Sequence, residues 1–416
     1  MKTKYLIIAV SLFLTPVMHI ANADDWSQWR GNDRTDVSTE KGLLQEWPDG
    51  GPKKLWTNEE TGLGYAGFSI VGDRLFTLGL EDEMEFGLCL DTNTGKEIWR
   101  QEIGSKYKNN WGDGPRSTPT VDGEFLYCMM GGGTLACLKA ADGSVVWSKT
   151  MEEFGGKVPI WGFAESPLIE GDMVVCTPGG EQGAIRALNK KTGETVWQTD
   201  ELTQQAHYSS LIAADVHGKR QIIQQLFNAI VGLDAKTGKV LWQHEWLGRT
   251  AVIPTPIFHD NKVYVTTGYA VGCCQLEISQ DNEVTEDWKN NLMQNHHGGV
   301  VYVNGFYFGH SDIERGTFVC QNPETGKAAW TEKPKLKKGS ITYADGRFYM
   351  VQEGNGEVIL FEADERNWTE KGRFKLEPQT KRRSPSGAIW VHPVVANGKL
   401  YVRDQEIICC YDVKAN

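Results

Sequence analysis

One short phrase recurs along this chain, always closed by a tryptophan. It reads Asp91-Thr-Asn-Thr-Gly95-Lys-Glu-Ile-Trp99 at its fullest, then Gly143…Trp147, Gly193…Trp197, Gly238…Trp242 and Gly326…Trp330, with a worn sixth copy ending at Trp288. In the five intact copies the glycine stands four residues before the tryptophan, and successive tryptophans are 48, 50, 45, 46 and 42 residues apart. A repeat of about 40–50 residues is the period of propeller blades. The phrase itself reads as a hairpin. A short apolar run such as Leu88-Cys89-Leu90 precedes it, Gly supplies the positive φ of the turn, and the next strand alternates to deliver the indole to one side of the sheet.

The position ten residues before the tryptophan is small in all five intact copies: Cys89, Cys137, Ala187, Gly232 and Cys320. The expectation is room left there for a neighbouring blade's indole, which makes these cysteines small core hydrophobes. Two further strands precede each phrase. The inner one is marked by Thr118-Pro119, Ser166-Pro167, Thr255-Pro256 and His392-Pro393, and the next contains runs such as Phe125-Leu-Tyr-Cys128 and Lys262-Val-Tyr-Val265. Four strands per unit, repeated radially, predict an all-β propeller of four-stranded antiparallel blades.

Seven units run from about Tyr65 to Lys375; the seventh lacks the phrase, with Trp368 falling early and Phe374 the expected outer-strand residue. An eighth begins near Trp390 and reaches Asn416 with only three strands, and Gly51-Pro-Lys-Lys-Leu-Trp56 offers the missing one. Eight blades, the last closed by the N-terminal strand, are therefore expected, because an open array would leave bare strand edges.

Residues 1–23 read as a signal peptide, with Lys2 and Lys4 before the apolar run Tyr5–Ile20 and cleavage after Ala23. The expected organisation is a signal peptide at 1–23, an N-terminal extension at 24–50 and the propeller at 51–416, located in the periplasm or secreted. The net charge of −11 without a basic run argues against nucleic acid as a partner. No other segment is apolar enough to span a membrane, and a monomer is expected. Nine cysteines cannot all pair. The adjacent pairs Cys273-Cys274 and Cys409-Cys410 are read as strand residues facing opposite ways, with a strained vicinal ring the alternative.

The Thr-Gly…Trp phrase and the eight units resemble the pyrroloquinoline-quinone (PQQ) repeat family, which includes quinoprotein alcohol dehydrogenases and the non-enzymatic scaffold lipoprotein BamB. The opening Trp26-Ser-Gln-Trp29-Arg30-Gly31 looks like a secreted bacterial group within it. The resemblance implies a mouth where the linkers entering each inner strand meet the loops between second and third strands. Those linkers hold Trp111, Asp113, Arg116, Trp161, Glu165, His207, Arg249, His296 and Trp390. Such aromatic planes and charges suit a flat acidic ligand such as PQQ, a sugar or a peptide, or simply line a wet channel. No metal-ligating His/Cys spacing occurs, and Glu81-Asp-Glu-Met-Glu85 is read as a solvated turn.

Two functions stay open. The first is a secreted or periplasmic scaffold that binds a protein or a small-molecule or carbohydrate ligand at the mouth, with no cofactor required and no catalysis. The second is a compact dehydrogenase using PQQ with calcium, with Glu165 and Asp113 as its carboxylates. The chain has no Cys-x-x-Cys-His for attached haem and no nucleotide-binding or nucleophile-elbow fingerprint, which favours the scaffold.

Overall fold

A computed structural model describes residues 25–415; the expected signal peptide lies outside the described residues. Eight antiparallel sheets follow one another along the chain. Blades 1 to 7 span residues 69–105, 120–150, 168–198, 212–245, 257–290, 300–332 and 339–375. Blade 8 takes Val394–Ala396, Lys399–Asp404 and Ile407–Asp412, and its outer strand is Lys54–Asn58, which pairs with Ile407–Asp412. The ring is closed by the N-terminal strand as the sequence predicts. Among the described residues no helix is long and apolar enough to cross a membrane.

The tryptophan phrase joins the blades by a mechanism slightly different from the one expected. Each small residue ten positions back pairs across the strands with its own blade's tryptophan: Cys89 with Trp99, Cys137 with Trp147, Gly232 with Trp242. A Cβ at Gly232 would stand 2.1 Å from the Trp242 indole, so the small residue makes room for the blade's own ring. The neighbour's ring rests instead on the turn glycine. A Cβ at Gly143 would meet Trp99 of the preceding blade at 2.6 Å, one at Gly193 would meet Trp147 at 2.8 Å, and one at Gly238 would meet Trp197 at 2.3 Å. These glycines thus serve twice, giving the positive φ of the turn and leaving the floor flat for an indole.

The indole N–H completes the joint. Trp99 donates to Ala140 O at 3.1 Å, Trp147 to Lys190 O at 3.0 Å and Trp56 to Thr92 O at 2.9 Å, each acceptor lying in the next blade. Gly95 lies under Trp56 and Gly326 under Trp288 in the same way. Trp330 likewise donates to Asp364 O of blade 7. Trp242 is the exception: the worn copy in blade 5 has no turn glycine to receive it, and this N–H turns to Gln221 of its own blade.

Blade 7 shows how the absent phrase is replaced. Its outer strand, Trp368–Lys375, bulges at the same place, but the position that pairs as a tryptophan elsewhere holds Gly372, opposite Leu360. Trp47, from the segment before the propeller, lies over that glycine; a Cβ at Gly372 would be 2.8 Å from the Cβ of Trp47. Trp47 is buried and packs edge-on against Phe374 and Tyr349. Phe374 is in the outer strand as expected, and it supports the imported indole.

The rest of the N-terminal segment enters the ring from the face opposite the linkers and fills the channel. Trp26 bridges to Ile70, and Val37–Ser38 adds a fifth, parallel strand to the inner edge of blade 7. Between them Arg34 is fully buried and donates to the backbone carbonyls of Ser166, Leu211 and Pro167, the last contact very short. Arg30 pairs with Asp36 at 2.7 Å and donates to Val300 O. All nine cysteines are buried and unpaired, with both adjacent pairs in strands.

Candidate functional site

Because residues 26–36 cross the channel, the propeller holds a cup and not a tunnel. Its volume is about 380 Å³, within the range of small-ligand sites. Trp29 and Arg30 form the floor. The wall comes from the linkers between blades, together with Tyr269 and Glu353 from loops between second and third strands.

Five of the residues singled out from sequence meet in this lining: Trp111, Arg116, Trp161, His296 and Trp390. Trp390 stacks on His297 with ring centroids 4.7 Å apart, and Tyr65 tilts against it at 4.9 Å. Trp161 packs on Tyr208. Arg116 lies over the rings of Tyr65 and Tyr107 at 5.5 and 5.2 Å and donates to Gly114 O and Gly112 O. No carboxylate lies within ion-pair distance of Arg116 among the described residues. Lys338, on the linker entering blade 7, lines the cup as well, and Tyr65, Trp29 and Glu353 line it without having carried any sequence signal of it.

His296 has an assignable tautomer. Lys338 Nζ stands 3.0 Å from His296 Nδ1, and an ammonium can only donate, so Nδ1 is the lone-pair nitrogen. Nε2 then carries the hydrogen and donates to Tyr269 Oη at 2.5 Å. Burial and the Lys338 charge push this histidine down to about 4, so the ring is neutral near pH 7. Lys338 is also bound to Asp312 at 2.9 Å. Glu353 accepts from the Trp390 indole at 3.1 Å and faces Lys338 at 3.9 Å.

The remaining expected residues are placed elsewhere. His207 stacks on Phe227 behind Tyr208, and burial pushes it down to about 4. Arg249 is exposed on the linker between blades 4 and 5. Asp113 receives Asn109 N–H and faces Lys106 at 3.5 Å, bracing its loop. Glu165 is buried in the channel wall, accepts from Thr177 N at 2.9 Å and feels the charge of Arg34.

Burial raises Glu165 to about 8 despite those partners. A carboxyl held above its unfolded value binds more protons in the folded state, so stability falls as pH rises from about 4.5 to about 8. Glu165→Gln removes that dependence. Thermal melting at pH 5 and pH 8 is expected to show a smaller loss for the variant than for the parent; equal losses would refute the buried neutral acid.

The chain matches the family model described as outer membrane protein assembly factor BamB over residues 88–332 and 288–415. The outer membrane protein assembly factor BamB of Burkholderia pseudomallei is 24% identical over 323 residues, covering 66% of this chain and 81% of its own. That of Shewanella oneidensis is 19% identical over 342 residues, covering 76% of each. Among solved structures, BamB from Moraxella catarrhalis superposes with a TM-score of 0.61 at 15% identity, over 87% of this chain and 98% of its own. The quinohemoprotein alcohol dehydrogenase of Comamonas testosteroni does so at 0.62 and 12% identity, over 94% and 81%. At these identities the structures share the fold.

The dehydrogenase neighbour raises the question of a quinone with calcium. Aromatic faces with Arg116 and Lys338 suit a flat anionic ring, but the cation half does not fit. Calcium takes 6–8 oxygen ligands, whereas the one carboxylate lining the cup is Glu353, beside an ammonium. Among the described residues no group of three His, Cys, Asp or Glu side chains could hold a metal.

Proposed function

We propose, for a chain that belongs to the BamB family of PQQ-repeat propellers, that it is a periplasmic or secreted scaffold whose mouth holds a protein partner and does no chemistry of its own. The observation that carries this reading is the apolar rim of the cup. Ile160 is 75% exposed, Leu247 63%, Val158 49% and Trp111 46%, all on linkers between blades, and Trp111 also lines the cup. Large apolar side chains left exposed on linkers are the material from which protein contact sites are made. The rim is also held in shape before any partner arrives. Tyr107 Oη and Asn109 Nδ2 donate to Ile160 O at 2.6 and 2.8 Å, and Tyr65 Oη donates to Trp111 O at 2.5 Å. Such pre-organisation lowers the cost of association. The relatives' description as assembly factors supports a partner that is a protein.

A charge at the rim tests the reading against the other apolar surface, the blade edges. Ile160→Asp is expected to abolish partner capture from an envelope extract of the source cells. Val146→Asp, on the exposed outer strand of blade 2, is expected to leave it intact. The opposite pattern would move the partner to the perimeter and overturn the mouth assignment. A calcium-dependent quinone enzyme would instead reveal itself by alcohol-dependent dye reduction on adding PQQ and calcium.

A further inference from the structure

In blades 2 to 5 the residue two places before the inner strand carries a hydroxyl: Thr118, Ser166, Ser210 and Thr255. Ser166, Ser210 and Thr255 are all buried and line the cup. Each hydroxyl already accepts a fixed hydrogen bond. Thr118 N donates to Ser166 Oγ at 2.9 Å, Ser166 N to Ser210 Oγ at 3.0 Å, and the Trp29 indole to Thr255 Oγ1 at 2.9 Å. Two tyrosines of the lining are used in the same sense. Tyr208 Oη accepts from Trp161 N at 3.3 Å, and Tyr269 Oη from His296 Nε2.

A hydroxyl has one hydrogen to give and room to accept. In all five groups accepting is already in use, and no described group receives the hydrogen. The wall therefore presents spare O–H donors, and Arg116 adds guanidinium N–H groups beyond the two spent on Gly112 and Gly114. The matching side-chain acceptor, Glu353, is occupied by Trp390 and Lys338. In a partly desolvated cavity a hydrogen bond from such a donor is stronger than in open solvent, so this wall favours a ligand rich in acceptors.

We propose that the cup is a metal-independent site for a small ring-bearing carboxylate, its oxyanion received by Arg116 and the hydroxyl row and its ring lying against the aromatic wall. The cup is walled by linkers from every side and closed below by Trp29 and Arg30, which suits a molecule of one or two rings and gives a passing polypeptide no exit. This site does not rest on the apolar rim: a small molecule can occupy the cup whether or not a protein docks above it.

Calorimetric titration in the presence of EDTA tests it with glucuronate and 1-naphthoate as the acids, and glucose and 1-naphthamide as their neutral counterparts. At least one acid is expected to bind about tenfold more tightly than its neutral counterpart, the size of a charge-assisted hydrogen bond. The acid that binds identifies the ring as sugar or aromatic. Arg116→Gln is expected to remove that preference, and Tyr208→Phe with Tyr269→Phe, which keep the rings, to weaken the acid selectively. Equal binding of acid and neutral counterpart, or no binding of either acid by the folded protein, overturns the proposal. Ile160→Asp is expected to leave acid binding unchanged, so failure of the partner reading and failure of this one are read separately.

Discussion

Trp47→Ala is expected to destabilise the protein by about 3–5 kcal/mol, as much as truncating a repeat tryptophan such as Trp99. Nothing in the repeat pattern marks Trp47, which precedes the first blade. Its weight comes from where it lands: over Gly372, in the place that the missing tryptophan of blade 7 would fill, against Phe374 and Tyr349. Its backbone N–H also donates to Lys371 O at 2.8 Å, fixing the ring over the bulge. Removing the indole leaves a cavity that Gly372, with no side chain, cannot refill. Urea unfolding of the Trp47→Ala and Trp99→Ala variants side by side is the measurement. A loss below about 1 kcal/mol for Trp47→Ala would mean that the joint between blades 7 and 8 does not need an indole.

Arg34→Met is expected to cost a similar amount, about 3–5 kcal/mol, because three buried backbone carbonyls lose a charged donor at once. The methionine keeps much of the packing volume but leaves the carbonyls of Ser166, Pro167 and Leu211 without their donor, and Glu165 without its neighbouring cation. Burial already lowers the Arg34 guanidinium to about 9, so the side chain stands on hydrogen bonds to the two blades it bridges. The local consequence is as informative as the global one. Hydrogen exchange at residues 26–36 is expected to accelerate more than exchange in the blade strands, since the segment loses its anchor to blades 3 and 4. Unchanged protection there would show that Trp26 and Trp29 alone hold the floor of the cup.

Much of the ring was legible in the residues themselves. Turn glycine, alternating strand and closing tryptophan are local patterns, and their spacing counts the blades. The split of blade 8 between the two chain ends followed from a strand missing at one end and spare at the other. The linkers were also legible as a group, and Trp111, Arg116, Trp161, His296 and Trp390 do converge on one cup. His207, Arg249, Asp113 and Glu165 belong to the same linkers but point to Phe227, solvent, Lys106 and Thr177. Linker membership places a residue near the mouth, while the backbone path of each linker sets its direction.

By itself, then, the chain determined the repeat, the number of blades and their closure, because those depend on neighbours a few residues apart and on a periodicity that every blade restates. Only the tertiary structure decided that the channel is a cup, that Trp47 replaces an absent indole and that five hydroxyls keep their hydrogens unspent. The reason is physical. Arg34 is held by backbone carbonyls, which carry no mark in the sequence. A glycine invites an indole without saying which one. A serine becomes a donor or an acceptor only when the fold brings another group's N–H to its oxygen.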